Sequence, residues 1–259
     1  MTSDSAHTVD AFLSGAFQVV QPARGGHRSG LDAILLAAAV PSGSTGRLAD
    51  LGAGAGVAGM AAAVRSPAVT SVLVENHPDM VAYARSGLDL PVNCDLAKRL
   101  RVVEADITAP YRTRKQAGLD NEAFDWVIAN PPYNDATHRA AATPMKRQAH
   151  EGDAEVLQAW LTSMHDLAKP GGSVAVIVRP SALPGLLSGS QQRLGGVRIV
   201  PISARAGRAA SRIVLIATKG SHARLELLPP VVLHEDNGAY RQEIDALLRG
   251  ERDLLSVVG

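Results

Sequence analysis

Asn130-Pro131-Pro132-Tyr133 combines residue types that could do chemistry together. Two consecutive prolines fix two φ angles and remove two backbone N–H groups, so the chain runs stiffly through this stretch. The carbonyls of Asn130 and Pro131 are then available to accept from a ligand. The Asn130 side chain adds an amide oxygen, and Tyr133 adds an aromatic face. Two acceptors beside one stacking surface suit a planar group bearing an –NH2. Asn-Pro also makes ordinary tight turns, and the tetrapeptide alone leaves both readings open.

A second set of residues centres on Asp50-Leu51-Gly52-Ala53-Gly54-Ala55-Gly56. Glycines permit positive φ and let backbone approach a ligand, while a helix starting after them presents free N–H groups. Gly54-Ala55-Gly56-Val57-Ala58-Gly59 satisfies the dinucleotide fingerprint, a weak signal by itself. Glu75 strengthens it by standing at the end of the following strand, where an acid holds ribose hydroxyls. Strand, loop, helix and acid in that order read as a nucleoside pocket, with Gly52, Gly54 and Gly56 against the ligand. Nicotinamide dinucleotides and S-adenosylmethionine both carry a nucleoside. Asp50 favours the second, because a carboxylate there faces a cationic amine and sulfonium but repels a pyrophosphate. Asp106, after a third strand, is placed to accept from an adenine amine, or to act as a turn or N-cap acid.

The elements that must position these groups follow a regular pattern. Apolar runs predict strands over 48–51, 69–74, 100–103, 124–129 and 173–178. Helical stretches are predicted over 31–40, 57–64, 78–87 and 154–168, the last closed by Lys169-Pro170-Gly171-Gly172. Strands alternating with helices imply an α/β fold with a mostly parallel sheet covered on both faces. Runs at 197–202 and 213–217 predict an antiparallel pair at one sheet edge, followed by extended structure over 225–233 and a short helix over 240–248. Residues 1–29 read as a loop-rich N-terminal segment and 30–259 as the core of one domain.

With 259 residues, 46% of them hydrophobic, the chain can build a sizeable core; with 3% aromatics, Ala, Val and Leu must fill it. A lone Cys94 excludes an internal disulfide framework and a multi-cysteine metal site, so no metal is expected. Neither a signal peptide nor a membrane span is evident, and a cytoplasmic protein is the simple expectation. The net charge of +1 exerts no global pull on nucleic acid. Local clusters are more suggestive of phosphate contact: Arg112, Arg114 and Lys115; Arg139, Lys146 and Arg147; and Arg205, Arg208 and Arg212.

Taken in order, Asp50 to Gly56, Glu75, Asp106 and Asn130 to Tyr133 resemble the motifs of class I S-adenosylmethionine-dependent amino-methyltransferases. The chain is most similar to the bacterial tRNA(Val) adenine-N6 methyltransferase family. Gln21-Pro22 and the stretch Gly30 to Ala37 match upstream. Downstream, Gly207 to Leu215, Val231 to Glu235 and Gly238-Ala239-Tyr240 match. The resemblance implies a Rossmann-like seven-stranded sheet whose last two strands form an antiparallel hairpin. It also implies a place for Asp32 near the methionine end of the donor, S-adenosylmethionine. Asp32 read by itself could equally cap its helix. Two departures touch the target base: His27-Arg28-Ser29 stands where the family often has aromatics, and Asn134 where an aromatic commonly follows the proline motif. The expected activity is N6-methylation of adenine in tRNA, with Asn130, Pro131 and Tyr133 as the catalytic set. Three other acceptors stay open: a protein glutamine amide, the guanine N2 of rRNA, and a small molecule, including O-methylation.

Overall fold

Strands and helices alternate along most of the chain, and the computed structural model describes them for residues 7–23, 30–132, 145–190 and 194–258. A hairpin, β1 (His7–Phe12) and β2 (Phe17–Pro22), precedes α1 (Leu31–Ala38). The alternation then runs β3 (Gly46–Leu51), α2 (Val57–Arg65), β4 (Val69–Glu75) and α3 (Pro78–Leu88). After the short α4 (Cys94–Ala97) come β5 (Leu100–Glu104), α5 (Tyr111–Gln116) and β6 (Phe124–Ala129). The long α6 (Met145–Leu167), β7 (Ala168–Val178) and α7 (Leu183–Ser190) follow. The chain closes with β8 (Leu194–Ser203), β9 (Ala210–Lys219), β10 (Glu226–Leu227), β11 (Val231–Val232) and α8 (Gln242–Leu248).

Among the described residues the main sheet has nine strands, in the order β10-β8-β9-β7-β6-β3-β4-β5, with β11 also on β8. β3, β4, β5, β6 and β7 pair in parallel, and β9 runs antiparallel to both β7 and β8. The seven expected strands are therefore all present; β10 and β11 are two-residue additions beside β8.

Parallel strands buried on both faces explain the near-continuous apolar runs in the sequence. Along β3 and β6, Leu48 and Ile128 face a core shared with α1, α2 and β2. Ala49, Leu51, Val127 and Ala129 face the opposite core, with α6 and α7. The same period-two alternation along β9 puts Val214 and Ile216 on the α1 side and Ile213, Leu215 and Ala217 on the other.

Besides the short helices α4, α5 and α7, which were not predicted, three stretches differ from the sequence reading. The N-terminal segment contains a strand pair rather than loop alone. Its turn, Leu13 to Ala16, opens on two non-glycine residues at positive φ, Leu13 (φ 48) and Ser14 (φ 56), before Gly15 (φ 87). β2 packs on α3, and the Asn93 side chain accepts from the Gln18 N–H at 3.1 Å and donates to the Gln18 carbonyl at 2.6 Å. Helix α6 begins at Met145, well before residue 154, so 145–152 is helix and not loop. Lys169-Pro170-Gly171-Gly172 forms an irregularity inside β7, between the pairings Phe124 with Ala168 and Trp126 with Ser173.

The C-terminal region is clasped to the core by Arg65. Its side chain is fully buried, and it donates to the carbonyls of Ala37 (2.7 Å), Val40 (2.9 Å) and Arg252 (3.2 Å) and to the carboxylate of Asp253. A buried guanidinium demands such partners, since a buried charge without them is strongly destabilising.

Candidate active site

The carboxyl ends of β3, β4, β5 and β6 open onto one cleft of about 1210 Å³, the position at which open α/β sheets bind ligands. Asp50, Glu75, Asp106 and Asn130 reach it from those four strand ends, together with Pro131, Gly52 and Gly54. Asp32, on the first turn of α1, lines it too.

The glycine loop is shaped by contacts that side chains would obstruct. Gly52 has φ +66, and a Cβ there would sit 2.5 Å from Trp160 Cη2. Trp160, on α6, thus packs under the loop while also lining the cleft. Gly56 has φ +91 and caps α2; a Cβ there would lie 2.7 Å from Leu73 Cδ1. It is not part of the cleft lining, and its place in the fold is the close approach of helix to strand.

The loop amides are already committed. The Gly54 N–H donates to Glu75 Oε2 at 2.8 Å, and Glu75 Oε1 accepts from the Asn76 and His77 N–H groups at 2.9 Å each. On α2, the Gly59 N–H donates to Asp50 Oδ2 at 2.8 Å. Two amides of this region thus face carboxylates, that of Gly54 in the loop and that of Gly59 on the first turn of α2. The cradle is therefore negative, poorly suited to a pyrophosphate and well suited to a cationic ligand. These acids and the nucleoside-sized cleft fit S-adenosylmethionine, whose sulfonium and ammonium are both positive. Asp50 is 2% exposed, and burial pushes its carboxyl up to about 7; the Gly59 N–H opposes the shift and the negative charge of Glu75 adds to it.

Asp106 is exposed, and its Oδ1 accepts from the Thr108 N–H (2.8 Å) and Oγ1 (2.7 Å). It is therefore a turn acid that also lines the cleft. At the end of β6, Asn130 is half-buried and Pro131 buried. Tyr133 and Arg139 lie outside the described residues, as do the side chains of Lys146 and Arg147.

Two basic residues stand elsewhere than their clusters implied. Arg114 is buried, and its Nη2 lies 3.1 Å from Asp166 Oδ2, so it supports α5 against α6 and is not a surface phosphate contact. Arg212 turns into the cleft, where its Nε donates to Asp32 Oδ2 at 2.7 Å. The sequence did carry a signal for this. Arg212 is two residues before Val214 and four before Ile216, which face α1. The α6 wall, with Glu155, Val156, Ala159 and Trp160, lies inside the helix predicted over 154–168, yet none of its residues was among the candidates, because only the acids, the glycines and the proline turn had been read for chemistry. Among the described residues, no helix is long and apolar enough to cross a membrane, and no group of three or more His, Cys, Asp or Glu could hold a metal ion.

Residues 29–159 match the family model described as the methyltransferase small domain. The tRNA1(Val) (adenine(37)-N6)-methyltransferase of Aeromonas salmonicida is 30% identical over 221 residues, covering 82% of this chain and 84% of its own. Its namesake in Shewanella putrefaciens is 27% identical over 215 residues, covering 82% and 86%. Among solved structures, a predicted O-methyltransferase, protein Atu636 from Agrobacterium tumefaciens, is 34% identical, with a TM-score of 0.74 over 86% of this chain and 97% of that one.

Proposed function

The chain belongs to the methyltransferase small-domain family and is an S-adenosylmethionine-dependent methyltransferase, and from that premise we propose that it methylates the exocyclic N6 of an adenine in tRNA. One observation carries the reading: Asn130 and Pro131 line the same cleft as Asp50, Glu75 and Asp106, so an amine held by the first pair lies in the compartment of the donor acids. The names borne by the Aeromonas and Shewanella relatives support the choice of acceptor.

Bound S-adenosylmethionine supplies the methyl, a carbon–nitrogen bond forming as the sulfonium carbon–sulfur bond breaks. The protein's part is to hold the amine. Asn130 Oδ1 and the Pro131 carbonyl accept its two N–H bonds and favour a more tetrahedral nitrogen, which frees the lone pair from the ring. Fixed dipoles of this kind act on charge that grows in the transition state and need not reorganise as it does. Positioning supplies much of the remaining rate, and the surplus proton passes to solvent. Tyr133 stacks on the base, which must leave its own stack to enter. Glu75 holds the ribose hydroxyls, Asp106 the adenine amine, and Asp50 and Asp32 the cationic end. Residues 1–259 act as one unit, and a tRNA substrate carries a cytoplasmic location with it.

The Agrobacterium structure is named for O-methylation, which would give the Asn130 and Pro131 acceptors no amine to hold. Tritiated S-adenosylmethionine, offered with bulk tRNA, rRNA and protein from a strain lacking this enzyme, separates the possibilities. Label in N6-methyladenosine of tRNA is the expected result. Label in protein glutamine or rRNA guanine would replace the acceptor, and label confined to small molecules would overturn both acceptor and amine chemistry.

A further inference from the structure

We propose that the stacked rings of His234 and Tyr240, with Arg205 and Arg208 beside them, form a platform at the rim of the cleft on which an RNA substrate rests a base neighbouring the methylated one. The inference rests on the RNA acceptor proposed above. Sheet register places the platform. β7 runs parallel to β6, and its last residue, Val178, pairs with Ile213 of the antiparallel β9. The 204–209 loop that enters β9 therefore stands at the carboxyl edge of the sheet, where the cleft opens. Arg212, just inside β9, lines that cleft. β11 runs parallel to β8, Val231 against Ile202 and Val232 against Ser203, so the turn after it leaves at the same edge. Loop and turn are tied together. The Leu233 N–H donates to the Ser203 carbonyl and the His234 N–H to the Ala204 carbonyl, at 3.0 Å each.

The turn holds one ring in the open. His234 and Tyr240 form an antiparallel bridge. Inside it the Glu235 N–H donates to the Ala239 carbonyl at 2.9 Å, and the N–H of Gly238 (φ 90) donates to the Glu235 carbonyl at 3.0 Å. The two rings stack with centroids 4.6 Å apart and planes 23° from parallel. His234 Nδ1 is enclosed and has no hydrogen-bond partner among the described residues, so this ring serves as backing. Tyr240 stays 42% exposed, a large aromatic side chain kept in solvent by a structured turn. With one face covered, such a ring offers the other to a planar ligand, and every nucleobase has a face that fits it. Arg205 and Arg208 supply the positive charge. Both are exposed, and neither is in an ion pair among the described residues. Arg205 Nη2 lies 3.9 Å from where a Cβ on Gly238 would stand, so the loop's charge borders the turn. The exposed acids of the turn, Glu235 and Asp236, favour a polyanion on the arginine side. A base drawn into the cleft leaves its neighbours unstacked, and a ring at the rim compensates one of them.

Methylation of bulk tRNA from a strain lacking this enzyme tests the platform, with S-adenosylhomocysteine binding by calorimetry as the control. Tyr240→Ala should raise KM for tRNA about five- to a hundredfold. Its kcat at saturating tRNA and its S-adenosylhomocysteine Kd should stay within about twofold of the unaltered enzyme. Tyr240→Phe keeps the ring and should restore KM. R205M/R208M, at two exposed positions, should weaken tRNA binding and lower the slope of log Kd against log salt by about one to two. Loss of S-adenosylhomocysteine binding along with tRNA turnover in Tyr240→Ala would make the ring a brace of the fold and overturn the platform. An unchanged KM in that variant, or an unchanged salt slope in R205M/R208M, would overturn it too. If the unaltered enzyme transferred no label to tRNA, the acceptor reading itself would fall, and the platform with it.

Discussion

On the glycine-loop side of the cleft, Asp50 and Glu75 hold the backbone amides of Gly59, Gly54, Asn76 and His77, whereas at the end of β6 the stiffness of Asn130-Pro131-Pro132 comes from proline rings. The first wall is fixed by hydrogen bonds that its ligand-facing acids themselves make. The second is fixed covalently, and its functional atoms play no part in holding it. Substitutions at the first wall should therefore move stability and donor binding together. Substitutions at the second should move turnover alone.

The sharpest break in that comparison is Asn130→Ala. Loss of a fixed acceptor should lower kcat by about 10²–10³, with the S-adenosylhomocysteine Kd and the melting temperature unmoved; a matching loss in Kd would erase the distinction between the walls. Next in size is Glu75→Ala, which deprives the buried Gly54 amide and the amides of Asn76 and His77 of their acceptor. It should cost about 2–4 kcal/mol in denaturant unfolding and weaken the donor as well. An unchanged donor Kd would remove Glu75 from ribose binding.

A smaller effect is set by pH. The folded-state pKa of Asp50 is raised to about 7 from 3.8, so between those values the folded protein binds more protons than the unfolded chain. Stability conferred on the protonated form should accordingly decline as pH rises from about 4 to about 7 and level off above it. Affinity for the cationic donor moves the other way, rising up to about tenfold per unit below pH 7 as Asp50 ionises. Asp50→Asn should flatten that rise when the two proteins are titrated with the same donor; parallel profiles would separate Asp50 from the sulfonium. The smallest change belongs to Asp106→Ala. This exposed turn acid should alter donor affinity about two- to threefold and stability by about 0.5 kcal/mol or less.

The same contrast governs how much could be read before the fold was known. Residues 124–129 were bounded correctly as β6 because a parallel strand covered on both faces is apolar but for Asp125, and proline follows it closely. The glycine loop was legible because positive φ leaves a mark in residue type. Hydrogen bonds leave none: nothing in the spelling of Glu75 says that its carboxylate would take up the Gly54 amide. Arg212 was grouped with Arg205 and Arg208 by nearness along the chain, although the pleat of β9 turns it towards α1. The N-terminal hairpin stayed hidden because its four-residue turn begins on Leu13 and Ser14 at positive φ, and Gly15 alone did not mark it. The start of α6 was missed because its first turns, Met145-Lys146-Arg147-Gln148, are polar and lack the apolar stripe that marked 154–168.

The clasp of Arg65 sets a constraint on the order in which this enzyme can be made. Arg65 closes the helix that follows the glycine loop, yet two of its acceptors, the Arg252 carbonyl and the Asp253 carboxylate, are translated 187 and 188 residues later. On the ribosome the N-terminal half emerges first, but its buried cation cannot be neutralised until residues 252 and 253 have left the exit tunnel. The order of synthesis is thus not the order of burial, and the region that reads most like a self-contained nucleoside module depends on residues 252 and 253, far along the chain, for its completion.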